Sequence, residues 1–485
     1  MRQAHDVATV RAAETALMAR QPVGTLMARA ATGLAATCGR LLEKVYGSHV
    51  VVLVGSGDNG GDALFAGSLL AQRGAVVAAI LLGSTAHVAG LAALLRAGGA
   101  VSDATALEGA DLVLDGIVGI GGIGALRPTA AAIVAAIPPD AIVVAVDIPS
   151  GVDADSGVVE GAAVRADVTV TFGTWKPGLL IDPGAQHAGA IELVDIGLAP
   201  HLPAASVTAL QADDVRLLQP QADTESDKYR RGVVGIVAGS DAYTGAALLA
   251  TGGALRAGAG MVRFVSVAHP AELVRSRWPE AVVTVLTGSA DDDVLGVGRV
   301  QAWVVGPGIG TDAFAEHVLA QVLSSQLPVI VDADALTIVG RRPALVTDRH
   351  APTVLTPHAG ELTRLLGLEP DERADVEARR LHHARAAAQK LQATVLLKGS
   401  TTVVCAPEGL VRVNSTGTPW LATAGSGDVL SGIIGALLAG GLSALDAASC
   451  AAYLHGAAGR LASDGAPVVA DDLVSHLPAA LRSLS

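Results

Sequence analysis

The stretch VVLVGSGDNGGDALFAG, Val51–Gly67, starts as an apolar, β-rich run, breaks into a glycine loop and continues as a helical pattern from Asp62. Strand, glycine turn and helix in that order form the opening unit of a parallel α/β sheet. Gly55, Gly57 and Gly60 also spell G-x-G-x-x-G. A dinucleotide fingerprint needs, in addition, an acidic residue about 20 positions on to hold the ribose hydroxyls. Ala63–Ser102 contains no Asp or Glu. Asp58 and Asp62 fall where a pyrophosphate would lie, and like charges at that range repel. The stretch decides the fold class and rejects a nicotinamide redox cofactor held in this way.

Working outward, apolar runs at Val50–Val54, Val76–Leu82, Leu112–Leu114, Ile142–Val146, Val168–Thr171 and Ala190–Val194 alternate with helical patterns such as Asp62–Arg73 and Thr129–Ala136. That alternation predicts a parallel sheet covered on both faces, a Rossmann-like three-layer sandwich. It stops near Gly197, and a Pro-, Ala- and polar-rich segment follows, read as a linker over 206–227 between domains 1–205 and 228–485. A second series opens with VVGIVAGS after Gly232, with strands at Val262–Val267, Ala302–Val305, Val329–Val331, Thr353–Leu355 and Thr394–Leu397. The loops GDNGGD and DAYTGA differ, so these are two unrelated α/β domains rather than a repeat.

Composition narrows the function classes. Against 33 basic residues stand 46 acidic ones, a net charge of −13, which argues against nucleic acid as a partner. Cys38, Cys405 and Cys450 show no metal spacing and fit a reduced, cytoplasmic compartment. Val429–Leu445 is apolar but short for a bilayer, glycine-rich and flanked by Asp428 and Asp446, so it is expected to be a buried helix rather than a membrane span. The N-terminal MRQAHDVATVRAAE lacks the apolar core of a secretory signal.

The second half carries the richest chemistry. In ATAGSGDVLSGIIGALLAGG, Ala422–Gly441, a glycine loop runs into a helix expected to begin at Asp428. Backbone amides at a helix start bind anions without net positive charge. An Asp there can take the proton of a hydroxyl attacking a phosphoryl group, or it can simply cap the helix. LLKGSTTVV, VVGPGIG, VDADAL and LTPHAGEL each follow a strand, so their loops gather on the carboxyl edge of a parallel sheet, where ligands bind.

Together with SDAYTGAA and GAGMV, this ordered set resembles the dehydratase domain of the NAD(P)H-hydrate repair enzymes, within the ribokinase-like group, from about Lys228 to the end. The resemblance implies a ribokinase-like fold in which Ala246, Gly310, His358 and Asp428 line the hydrated-nucleotide site, with Asp428 the catalytic base. It further implies that Lys398, Gly399, Ser400, Thr401, Thr402 and Gly427 hold ADP, with Mg²⁺ bridging phosphate oxygens. Ala424 stands where relatives often carry the first glycine of G-G-T-G-D.

From about Glu14 to Ile196 the chain is similar to the NAD(P)H-hydrate epimerase domain that relatives carry ahead of the dehydratase. The carriers are Asp58-Asn59-Gly60-Gly61-Asp62-Ala63 for the family's N-N-G-G-D-G, then DGIVGIGG from Asp115, VDIPSGVDAD from Val146 and TFGTWKPGLL from Thr171. The resemblance implies K⁺ on Asn59, Asp115 and Ser150, an oxygen-only set suited to a hard cation. It implies substrate contacts from Asp58, Asn59, Gly60, Gly61, Asp62, Gly119, Ile120, Gly121, Gly122, Ile123, Gly124, Ala125 and Asp147. Asp147 is the candidate acid/base for opening and reclosing the hydrated ring, against a turn-stabilising role before Ile148-Pro149. Lys176 reads as a structural lysine or a phosphate contact, since lysines are mostly solvated. The implied function is repair of hydrated NADH and NADPH, small-molecule substrates, by a homo-oligomer. The rival is a ribokinase-like vitamin-precursor kinase with a non-catalytic N-terminal binding module.

Overall fold

A computed structural model describes residues 1–220 and 228–484. Two compact units emerge, Gln3–Val207 and Thr208–Ser485 with Met1–Arg2. In the first, strands β1 (His49–Val54), β2 (Val76–Leu81), β3 (Ala100–Ser102), β4 (Leu112–Gly116), β5 (Ile142–Val146), β6 (Val168–Phe172) and β7 (Ala190–Val194) form a sheet ordered β3-β2-β1-β4-β5-β6-β7. Every pair in it is parallel. Val50 to Val54 are all buried, as a strand packed on both faces requires, and such strands read as unbroken apolar runs.

The strand order reverses between β1 and β4, and that switch point opens a crevice at the carboxyl edge. The two strands come close there: a Cβ on Gly55 would stand 1.8 Å from the Ile117 carbonyl. The helix after β1 spans Asp58–Gln72 with Gly57 as N-cap. GDNGGD is therefore the helix start itself, and the expected start at Asp62 lies a turn too late.

The second unit holds β8 (Val207–Ala209), β9 (Val233–Val237), β10 (Met261–Ser266), β11 (Val282–Val285), β12 (Ala302–Val305), β13 (Val329–Val331), β14 (Thr353–Leu355), β15 (Thr394–Leu397), β16 (Thr402–Cys405) and β17 (Val411–Asn414). They are ordered β8-β17-β16-β15-β14-β13-β12-β9-β10-β11. From β11 through to β15 the pairing is parallel, and β15-β16-β17 is antiparallel. Here the order reverses between β9 and β12. Helices Thr244–Arg256 and Ser426–Ala439 pack on the sheet through a core that includes Val429, Ile433 and Ala250. No helix among the described residues is long and apolar enough to cross a membrane.

The linker reading of 206–227 fails over its first part. Val207–Ala209 is a strand and Ala212–Leu218 a helix whose Val215 is fully buried in the second unit's core. Polar spacing hid three inward apolar residues, Val207, Ala209 and Val215. Residues 221–227 of that reading lie outside the described residues.

Candidate active sites

In the first unit a cavity of about 760 Å³ lies at the carboxyl ends of β1, β4 and β5. Asp58, Asn59, Asp62, the whole run Gly119–Ala125 and Asp147 line it, joined by Arg11 and Glu14 from helix Val7–Met18. Gly60 and Gly61 are buried instead: a Cβ on Gly60 would meet the Gly55 carbonyl at 2.5 Å, and one on Gly61 the His87 ring at 2.9 Å. Their smallness lets the helix start pack against β1 and His87.

Asp147 ends β5 with a φ of +67°, a left-handed conformation that costs a non-glycine residue of order 1 kcal/mol or more. The turn is fixed by what it presents. Asp147 Oδ1 accepts from the Thr171 hydroxyl at 3.0 Å, from the Phe172 amide at 3.1 Å and from the Lys176 ammonium. Lys176 is fully buried, and its ammonium also donates to Thr171 Oγ1 at 2.9 Å and the Phe172 carbonyl at 3.1 Å. This lysine, read from sequence as structural or a phosphate contact, makes a buried ion pair with the candidate acid/base.

Asp115 and Ser150 sit behind the cavity wall, both buried. The Ser150 hydroxyl donates to Asp115 Oδ1 at 2.6 Å, and the Ser150 amide donates to Oδ2 at 2.8 Å. The Val118 carbonyl is 3.1 Å from the same hydroxyl. Burial pushes the Asp115 carboxyl up to about 6, against those hydrogen bonds. Asn59 Nδ2 is buried without a partner, and Oδ1 of that amide is 3.1 Å from where a Cβ on Gly119 would stand. A buried carboxylate with hydroxyl, carbonyl and a rotatable amide about it is a donor set that fits a hard monovalent ion.

In the second unit, Asp428 is the third residue of helix Ser426–Ala439, whose N-cap is Gly425 with a φ of +86°. The expected helix start at Asp428 is two residues late. Asp428 does not cap the helix, because the left-handed Gly425 takes that place. Burial first, then the nearby Asp332 and Asp334, push the Asp428 carboxyl up to about 7, with Lys398 pulling the other way. The Lys398 ammonium bonds Asp332 at 3.0 Å and lies 3.7 Å from Glu361. It stands 3.4 Å from where a Cβ on Gly427 would be. Buried Asp332 is held on its other oxygen by the Ser431 hydroxyl at 2.8 Å, from one turn further along the Asp428 helix.

The remaining candidates converge on the same place. Gly310 donates its amide to Asp334 at 2.9 Å. A Cβ on Gly308, in the same loop, would stand 3.0 Å from the Ala246 Cβ. His358 caps helix Ala359–Leu366 by accepting the Glu361 amide on Nδ1, and Glu361 returns the bond to the His358 amide at 2.8 Å. Lys398–Thr401 form the turn between β15 and β16, and Thr402 opens β16. This turn enters an antiparallel strand, so its amides are not a helix start as in the Asp428 loop. Arg380 braces it: buried, its Nη2 donates to the Lys398 carbonyl at 2.9 Å and the Thr401 carbonyl at 3.1 Å. A Cβ on Gly399 would fall 2.2 Å from that nitrogen.

Glu14, Arg380 and Ser431 were not singled out by sequence reasoning. Ser431 sits one helical turn after Gly427 in a run of otherwise apolar residues, a polar residue on a buried face that needs a partner. Among the described residues no group of three or more His, Cys, Asp or Glu is arranged to hold a metal ion.

These sites, at the switch points of two sheets whose central strands are parallel, define a two-domain, nucleotide-dependent α/β enzyme. Residues 234–479 match the family described as NAD(P)H-hydrate dehydratase, and residues 23–178 match the YjeF-related protein N-terminus. The bifunctional NAD(P)H-hydrate repair enzyme Nnr of Mycobacterium leprae is 46% identical over 100% of both chains. That of Mycobacterium tuberculosis is 48% identical over 93% of this chain and 92% of its own. The ADP/ATP-dependent NAD(P)H-hydrate dehydratase of Bacillus subtilis, co-crystallized with ATP/Mg²⁺, superposes with a TM-score of 0.52 at 32% identity, covering 57% of this chain and 99% of that one. The chain belongs to the family of bifunctional NAD(P)H-hydrate repair enzymes.

Proposed function

We propose that the chain restores NADH and NADPH whose nicotinamide ring has taken up water. The first unit interconverts the R and S epimers of the hydrate. The second phosphorylates the ring hydroxyl of the S form with ADP and eliminates phosphate, leaving AMP, phosphate and the reduced dinucleotide.

One observation carries the reading: Asp428, its carboxyl raised to about 7, stands in the first turn of a helix beside a lysine anchored by Asp332. A base of that strength takes the proton of the attacking hydroxyl at neutral pH. The amides of Ala424–Gly427 and the Lys398 ammonium face charge that develops on the transferring phosphoryl group. Ala246, Gly310 and His358 hold the hydrated dinucleotide, and Lys398–Thr402 with Gly427 hold ADP. Mg²⁺ bound on the nucleotide phosphates neutralises their charge, which suits a site without a carboxylate metal cluster among the described residues.

In the first unit, Asp147 moves protons at the hydrated ring, and the Gly119–Ala125 run encloses the dinucleotide. Asn59, Asp115 and Ser150 would hold K⁺, which would supply positive charge behind the cavity wall. The three buried, unpaired cysteines support a reducing, cytoplasmic setting. The alternative, a vitamin-precursor kinase with a non-catalytic N-terminal binding module, leaves the carboxyls of the first cavity without a chemical role.

The test is recovery of NADH absorbance from mixed epimers with ADP, ATP or neither. Complete recovery with nucleotide is expected, and Asp115→Ala should stop it once the S form is consumed. Recovery without nucleotide, or none with it, would count against the reading.

A further inference from the structure

In the hydrate, the ring carbon beside the nitrogen carries the hydroxyl. Inverting it through an open form takes two proton transfers. A base takes the hydroxyl proton, the carbon–oxygen bond becomes a carbonyl as the carbon–nitrogen bond breaks, and an acid places a proton on the nitrogen. Turning the other face of the aldehyde to the nitrogen and running the steps backward returns both protons, so no co-reactant is consumed. One carboxyl cannot serve the oxygen and the nitrogen together.

Asp147 supplies one group. The bonds from Thr171, Phe172 and Lys176 converge on its Oδ1, leaving Oδ2 outside them. Three other carboxyls line the same cavity: Glu14, Asp58 and Asp62. Asp58 is exposed. Asp62 has an Oδ1 that is sealed from solvent and without a partner, and burial with Asp147, Asp58 and Glu14 about it raises its carboxyl well above the usual range. A carboxyl so placed resists ionisation, which sets it apart from a group that must shed and regain a proton in each cycle.

Glu14 differs from both. It is half-buried on helix Val7–Met18, on the far side of the chain sequence from Asp147, and none of its side-chain oxygens is engaged in a hydrogen bond among the described residues. Burial raises its carboxyl first, Asp147 and then Asp58 add to that, and Lys176 and Arg11 oppose it. A carboxyl raised in this way holds its proton more readily than an exposed one, as an acid at the ring nitrogen must.

Building on the epimerase reading, we infer that Glu14 is the second catalytic residue of the first unit, the acid at the ring nitrogen working with Asp147 at the hydroxyl. Glu14→Gln keeps the shape and a hydrogen bond but carries no transferable proton. Its R-to-S interconversion should fall by roughly two to four orders of magnitude in kcat, with KM within about threefold and an unchanged melt. Glu14→Asp should restore part of the rate. The measurement is interconversion of pure R hydrate, followed by chromatography of the two epimers. Turnover of Glu14→Gln within about threefold of the unmodified chain, or a loss confined to KM, overturns the assignment. An unmodified chain that does not accelerate interconversion overturns the epimerase reading along with it, whereas a slow variant beside an active parent supports both.

Discussion

Asp147 and Asp428 are both candidate acid/base carboxyls near a lysine, and the two units use that lysine in opposite ways. Lys176 is bonded to Asp147 itself, deep in the first unit. Lys398 is bonded to Asp332 and Glu361 and leaves Asp428 outside its ion pairs. The backbone follows suit. In the first unit the positive-φ residue at the site is Asp147 itself, whereas beside the second site it is Ala333, at φ +49°, whose turn splays Asp332 toward Lys398 and Asp334 toward Gly310. A carboxylate fixed on one oxygen by a cation is held in a set position beside the cavity. A carboxyl kept basic by its neighbours, with the cation set aside for phosphate, suits phosphoryl transfer.

The largest effect that tests this contrast is on Asp428. Asp428→Asn should lower NADH recovery from the S hydrate by about two to four orders of magnitude. Nucleotide affinity and the melt should stay put, because the amides remain and Gly425 holds the cap. Near-normal turnover of this variant would remove the base.

Lys176→Met comes next. It leaves Asp147 buried without its cation, and breaking such a pair costs about 3–5 kcal/mol. Urea unfolding of the first unit's transition should show that loss, and adding Asp147→Asn should recover part of it. A single-variant cost under about 1 kcal/mol would mean that the hydroxyl and amide alone hold Asp147.

The smallest effect sharpens the second site. With Asp428 raised to about 7, the dehydration rate should fall as pH drops through that value, since only the ionised base accepts a proton. Asp334→Asn removes one of the negative charges that raise it, so the acid limb should move to lower pH by a fraction of a unit. A limb that stays in place or moves upward would show that Asp334 does not act on Asp428.

Much of the fold was legible because parallel strands buried on both faces leave continuous apolar runs. Ile142–Val146, Ala302–Val305, Val329–Val331 and Thr394–Leu397 stand in the structure with the bounds read from sequence. Helices Val7–Met18 and Thr25–Leu41 escaped that reading, since alanine-rich helices carry a weak apolar stripe. The glycine and Asp motifs marked where ligands gather. What they could not show was pairing across the chain: that Lys176 turns inward, that Glu14 faces the same cavity as Asp147, or that Ser431 and Lys398 share Asp332. A lysine between Trp175 and Pro177 in an otherwise apolar segment was the one local hint of a buried partner.

Arg380 and Gly399 occupy a single volume, the guanidinium filling the space a side chain would claim while it ties the Lys398 and Thr401 carbonyls. Neither position is then free to drift by itself. Across descendants of this chain, Gly399 should acquire a methyl group only in lineages where Arg380 has already shortened, and the order of the two events should be recoverable from reconstructed ancestors.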